Sequence, residues 1–360
     1  MESAVLNEVL KKIEEINKFQ NNISIMEICG THTMAISKYG IRDLLNKNIN
    51  LVSGPGCPVC VTPSNYLDYV YDLSLEKDVI IATYGDMIRV PGSSPARTLE
   101  KARALGAAVK MVYSSIDAVE LAAENRNKKV VFLGIGFETT TPATVVAIKE
   151  AERQKLDNFY VLSLHKLVEP VMKVLLEDKE LNIQGFLLPG HVSVILGEEG
   201  FKFLNNYECS GIIAGFEMKE IVDALYEIVK SIESNEYTVK NCYKSVVRKQ
   251  GNAVAKDMFK EVFEVRDDYW RGLGLIKESS LKLNETYKKY DIEKIYPLKY
   301  KEEKSSGCRC GDVLKGLIKP CECGNFGKVC VPENPLGPCM VSSEGSCSAY
   351  YKYDRNNIKL

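Results

Sequence analysis

The chain has 360 residues, enough for two or three domains, and its 45% hydrophobic and 26% charged residues are those of an ordinary soluble globular protein. A formal net charge of −1 gives no electrostatic basis for partners such as nucleic acid or anionic membrane, and no apolar run approaches the roughly 20 residues that span a bilayer. The first residues, Met1 to Lys12, are charged and amphipathic rather than an export signal, so the expected location is cytoplasmic.

Taken in chain order, the first 20 residues read as a helix, expected to pack on the C-terminal part. Short β-branched runs then recur at Ile23–Ile28, Ile49–Val52, Val79–Thr83, Ala107–Val112, Val130–Gly134, Phe159–Leu164, Gln184–Leu188 and Gly211–Ala214. Their starts lie about one strand, one helix and two short loops apart, which predicts βαβ units, parallel sheets and right-handed crossovers. The second four runs repeat the spacing of the first four, so the fold class is α/β with two similar domains, expected at 23–125 and 126–238. The stretch Glu220–Ser234 closes the second, with Ile221, Ala224, Leu225, Ile228 and Val229 on one helical face. From Asn235 to Lys304 the chain is polar, tyrosine-rich and weakly periodic. The last 50 residues are rich in Cys, Gly and Pro and need a metal site in place of a normal core. Residues 1–22 with 239–360 are therefore expected as a third, cysteine-rich domain.

Twelve cysteines are the abnormal count, and seven of them crowd into 308–347. Without an export signal, clustered thiols point to metal or redox chemistry rather than structural disulfides. Cys29 and His32 lie in Glu27-Ile-Cys-Gly-Thr-His-Thr33, between a strand and a helix, where a helix N-terminus favours the thiolate. The structural alternative is a buried thiol with a capping threonine. Cys57-Pro-Val-Cys60 follows Ser53-Gly-Pro-Gly56 at the next strand-to-helix turn. Two thiols so spaced form a small-ring disulfide or bind a soft metal.

Further along, Gly134-Ile-Gly-Phe-Glu138-Thr-Thr-Thr-Pro142 lacks the third glycine of a dinucleotide fingerprint. Glu138 and, in Pro189-Gly-His191-Val-Ser193, His191 are candidates for acid–base or supporting roles. Taken singly, each reads equally well as a satisfied loop residue. Asp86 and Arg89 are expected near the same cleft, paired with each other at most. Nearly every candidate lies at a strand's carboxyl end, where open α/β sheets bind ligands, so two facing domains would make one cleft. In the tail, Cys308, Cys310, Cys321, Cys323, Cys330, Cys339 and Cys347 stand without a local histidine. Four thiolates there suit structural zinc or a 4Fe–4S cluster, and the wide, uneven spacing favours the cluster.

Taken together, Cys29-Gly-Thr-His32, Gly54-Pro-Gly-Cys57-Pro-Val-Cys60, Gly136-Phe-Glu-Thr-Thr-Thr-Pro142, Pro189-Gly-His-Val-Ser193 and Met340-Val-Ser-Ser-Glu-Gly-Ser-Cys347 resemble the signature blocks of the HypD family of [NiFe]-hydrogenase maturation factors. The blocks fall in family order over residues 27 to 347. The resemblance implies two thioredoxin-like α/β domains and a third domain with a 4Fe–4S cluster on Cys310, Cys323, Cys330 and Cys347. It also implies work with a small HypC-like chaperone and a HypE-like cyanide donor, building an iron centre that carries two cyanides and one carbon monoxide. In that reading the cluster feeds electrons to Cys57 and Cys60, and Cys29 is the ligand to iron. Where the family's first motif often has a second histidine, this chain has Met34. Two other functions stay open on the residues alone: a stand-alone thiol–disulfide oxidoreductase, and a zinc-stabilised binding protein.

Overall fold

The computed structural model describes residues 2–298 and 307–354. Residues 299–306 and 355–360, which belong to the expected third domain, lie outside the described residues. All eight expected strands are present: β1 (Ile23–Glu27), β2 (Ile49–Ser53), β3 (Val79–Thr83), β4 (Ala108–Met111), β5 (Lys129–Gly136), β6 (Phe159–His165), β7 (Gly185–Leu188) and β8 (Ser210–Ile213). Three more follow, β9 (Val239–Asn241), β10 (Phe263–Trp270) and β11 (Gly274–Leu283). β3 and β7 are buried along their whole length, as strands covered on both faces by crossover helices must be.

The strands are shared out differently from the expected division at residue 125. One sheet has the order β2-β1-β7-β8-β9 and the other β4-β3-β5-β6, and every pairing within them is parallel. The first sheet thus draws on both halves of the chain, and β3 to β6 form a second sheet inserted within it. The reason is visible in the spacing itself. A regular βα repeat puts every strand about the same distance from the one four places on, so equal offsets do not say which strands are hydrogen-bonded.

A second correction concerns the N-terminal helix Glu2–Ile16. It lies on Met218–Ser234 and the first sheet rather than on the cysteine-rich tail. Its Val9, Ile13 and Ile16 share a core with Ile221, Leu225 and Ile228, so the expected inward face of Met218–Ser234 is the buried one. Lys12 reaches Asp223 at 2.6 Å and Lys219 reaches Glu8 at 2.7 Å across the same seam.

β10 and β11 form an antiparallel hairpin in the stretch read as irregular. Its alternation is broken by a register shift between Arg266 and Asp268, and Asp268 points inward. Inside, Asp268 Oδ2 accepts from Lys166 Nζ at 2.8 Å and Asp268 Oδ1 from the Tyr66 hydroxyl at 2.5 Å.

The tail forms short helices, Cys310–Leu314, Pro338–Val341 and Ser346–Tyr353. The last packs on Gly30–Lys38. Asp86 and Arg89 do not pair with each other: Asp86 accepts from the Ser342 hydroxyl at 2.8 Å, and Arg89 Nη2 donates to Pro332 O at 2.5 Å. Both tie the tail to the end of β3. One large core runs through both sheets and the tail, joining Met26 and Val52, Val131 and Leu133, and Cys310, Cys339 and Cys347. Among the described residues no helix is long and apolar enough to cross a membrane.

Candidate functional site

Four neighbouring strands of the first sheet end side by side, and each hands its chain to a candidate residue. β2 leads to Cys57, β1 to Cys29, β7 to His191 and β8 to Phe216. These candidates are therefore gathered at the carboxyl edge of one sheet, while Glu138 follows β5 of the other.

Cys29 is the N-cap of the helix Gly30–Lys38 and only 7% exposed. The loop before Cys57 presses on it. A Cβ on Gly56 would come within 2.3 Å of the Cys29 nitrogen, and one on Gly30 within 2.4 Å of Glu344, so both close approaches need glycine. Gly30 N–H donates to Gly56 O at 3.3 Å, and the Thr31 hydroxyl donates to Glu344 Oε1 at 3.2 Å. Burial, with the Glu344 carboxylate nearby, pushes the Cys29 thiol up to about 11. The N–H groups of His32 and Thr31 favour the thiolate but are outweighed. The expected thiolate at neutral pH is thus corrected: the helix N-terminus is present, but desolvation wins.

Cys57 caps the short helix Pro58–Val61 and is joined to Cys60 by a disulfide. Cys60 is fully buried, and its N–H donates to Cys57 Sγ at 3.1 Å. Proline at the first helical position fixes the turn that brings the sulfurs together.

His32 is fully buried, and its Nε2 lies 2.9 Å from Gly215 O. A carbonyl only accepts, so Nε2 carries the proton and Nδ1, which has no partner, presents its lone pair. Burial holds the ring neutral, with its pKa pushed down to about 4. Phe216 lies between the two candidate histidines, 4.8 Å from the His32 ring and stacked 4.2 Å from the exposed His191 ring. Met34 occupies the position after Thr33 and brings no second imidazole there.

Glu138 is buried just past β5, whose strand packs on Pro58–Val61. Its Oε1 accepts from Val168 N–H at 2.9 Å while Oε2 has no partner, and burial pushes the carboxyl up to about 7.

In the tail, Cys310, Cys323, Cys330 and Cys347 line one cavity, together with Cys308. Its remaining wall is largely apolar, with Val313, Phe326, Leu336 and Met340. Leu336 N–H donates to Cys330 Sγ at 3.4 Å. Cys321 is exposed, and Cys339 is buried outside that lining. Burial, and then the neighbouring thiols of Cys310, Cys308, Cys330 and Cys323, push Cys347 well up. Among the described residues no three His, Cys, Asp or Glu side chains are set to hold a single metal ion. A 4Fe–4S cluster makes a different demand, one thiolate for each of four irons around a dry cavity, and these residues fit it.

The cavity lies close to the disulfide. Pro338–Val341, which carries Cys339, packs directly on Pro58–Val61. Arg271, at the tip of the β10–β11 hairpin, donates its N–H to Val61 O at 2.8 Å and its Nε to Thr62 O at 2.9 Å. Reading the sequence alone missed Arg271, Glu344 and the Lys166–Asp268 pair. Each is a charged residue, for which solvent exposure is the ordinary expectation. The one signal was Gly272 after Arg271, which marks a turn.

A family model, HypD, of the hydrogenase formation hypA family, matches residues 4–354. Hydrogenase maturation factor HypD of Cupriavidus necator is 42% identical over 341 residues, covering 92% of this chain and 90% of its own. The HypD of Rhodobacter capsulatus is 40% identical over 357 residues, covering 97% and 94%. A putative hydrogenase expression/formation protein of Methanocaldococcus jannaschii is 41% identical over 352 residues, covering 96% and 97%.

Proposed function

Since the chain belongs to the HypD family of hydrogenase maturation factors, we propose that it serves maturation as the scaffold on which the iron fragment of a [NiFe] hydrogenase is assembled. The fragment, iron with two cyanides and one carbon monoxide, is cargo. The observation that carries this reading is the seating of Cys29 against the Cys57 loop at neighbouring strand ends, with the tail over both.

Cys29 is the ligand that this chain gives to the iron, because a thiolate is the soft donor such iron favours. The thiol is protonated in the free protein, so binding must displace its proton. His32 is neutral, and its free Nδ1 can accept a hydrogen bond in the cleft, but burial keeps it from holding the displaced proton as a cation. His191 holds the mouth of the cleft through Phe216. Cys57 and Cys60 pass from disulfide to dithiol with two electrons and two protons. Glu138, which titrates near neutral pH behind their helix, is suited to exchange protons there. Cys310, Cys323, Cys330 and Cys347 would hold a 4Fe–4S cluster, with Cys308 as the competing thiol. When bound, such a cluster supplies electrons one at a time. A small HypC-like chaperone would bring a second ligand for the iron, and a HypE-like protein the cyanide.

The disulfide supports one other reading, a stand-alone thiol–disulfide oxidoreductase. Infrared spectra of the protein, copurified anaerobically with its small partner, separate the two. Bands of metal-bound cyanide and carbon monoxide are expected. A complex with a working dithiol but no such bands would favour the oxidoreductase.

A further inference from the structure

We propose that Arg271 sets the redox balance of the tail's cysteine cavity and of the Cys57–Cys60 couple, as one fixed positive charge shared by both. The inference rests on the cluster assignment above. Arg271 is only 8% exposed, and its Nη2 is buried without a protein partner. A guanidinium taken out of water keeps its charge and needs an anion or acceptor for each N–H, so an unmatched one marks a place for negative charge.

Its position is built on both sides. Toward the disulfide, the backbone N–H and Nε are spent on Val61 O and Thr62 O, the residues that follow Cys60. Toward the cavity, Gly272 turns the hairpin at φ +73, and a Cβ there would lie 2.2 Å from Gly311 Cα. The hairpin tip is thus seated on the backbone next to Cys310.

Reduction of a thiolate-bound cluster adds one negative charge, and a dithiol can release a proton that a disulfide cannot, so only the reduced couple can gain from a nearby cation. A nearby fixed cation favours the reduced form of each, and in a dry interior the effect is little screened. Arg271 is a positioning residue in this sense and forms no bond in either reaction.

The test uses the full-length, anaerobically purified protein and its Arg271→Gln, Arg271→Met and Arg271→Lys variants. Iron and acid-labile sulfide are measured first, and a wild type without them would defeat the cluster assignment itself. The reduced-to-oxidised ratio of the cluster is then read by electron paramagnetic resonance at one fixed potential. The two neutral variants should show a ratio lowered about tenfold, with Arg271→Lys within a few-fold of wild type. A neutral variant that keeps its cluster and the wild-type ratio overturns the proposal. Should neither neutral variant keep its cluster, the Cys57/Cys60 equilibrium with glutathione, which needs no metal, is measured instead. A shift toward the disulfide supports the proposal, and the wild-type position overturns it.

Discussion

Glu138 is a buried acid whose charge changes near neutral pH. Unfolded, it would titrate near 4.5, and folded it is pushed up to about 7 by burial. A group raised in this way contributes stability that is full below the unfolded pKa and lost as pH rises through the folded one. Wild type should therefore lose stability between about pH 4.5 and 7 relative to Glu138→Gln. At about 1.4 kcal/mol per unit, the difference approaches roughly 3 kcal/mol above pH 7. Denaturant unfolding of both proteins at about pH 5 and pH 8 measures it, and equal shifts with pH in the two would remove Glu138 as the cause. The sulfurs give a second residue-scale prediction. Cys57 and Cys60 should cycle between disulfide and dithiol, while Cys29 stays a slow-reacting thiol near pH 7 because it is buried and protonated. Thiol trapping with mass spectrometry, in oxidising and reducing buffers, reads all three. A Cys57 and Cys60 pair that stays free in the oxidised, folded protein would remove the dithiol from the account. The cysteines were legible in the sequence because seven of the twelve crowd into 308–347, a clustering that chance placement does not give. The protonation of Cys29 was not, because the burial that causes it, and the Glu344 carboxylate that adds to it, arise only when distant parts of the chain pack together.

Among the elements, the hairpin β10–β11 does the least expected work. Asp268 brings a carboxylate into the core to meet Lys166, whose pKa is pushed down to about 8 by burial with Asp268 opposing. Removing one partner strands the other, so Asp268→Ala should cost roughly 3 to 5 kcal/mol, and adding Lys166→Met should recover much of it. Thermal unfolding of the two single variants and the double variant decides this, and strict additivity would show that the pair is not coupled. The eight βα strands were readable because β-branched runs at regular spacing leave few alternatives. Their partition between sheets was not, because β1 pairs with β7 across 160 residues and no local residue records that choice. The hairpin was hidden by its register shift and by the inward charge, which broke the two-residue alternation.

At the scale of the whole molecule, the tail is the part that turns two sheets into one site. It touches the helix Gly30–Lys38 after β1 through Glu344 and Ser346–Tyr353, the turn after β3 through Asp86 and Arg89, and the disulfide helix through Pro338–Val341. Its own short helices carry few apolar residues, so its order should depend on what the cysteine cavity holds. Cys347→Ala should lower bound iron and sulfide sharply and make the tail sensitive to limited proteolysis. Full iron content in that variant would mean that Cys308 or Cys339 belongs to the ligand set instead. The central claim, however, is that Cys29 holds the iron cargo, and it is tested most directly by infrared spectroscopy of Cys29→Ser copurified with its small partner. The cyanide and carbon monoxide bands should be lost while the iron–sulfur absorbance of the tail remains. Bands of normal intensity and frequency in the Cys29→Ser complex would contradict the account, because the fragment would then be held by other residues.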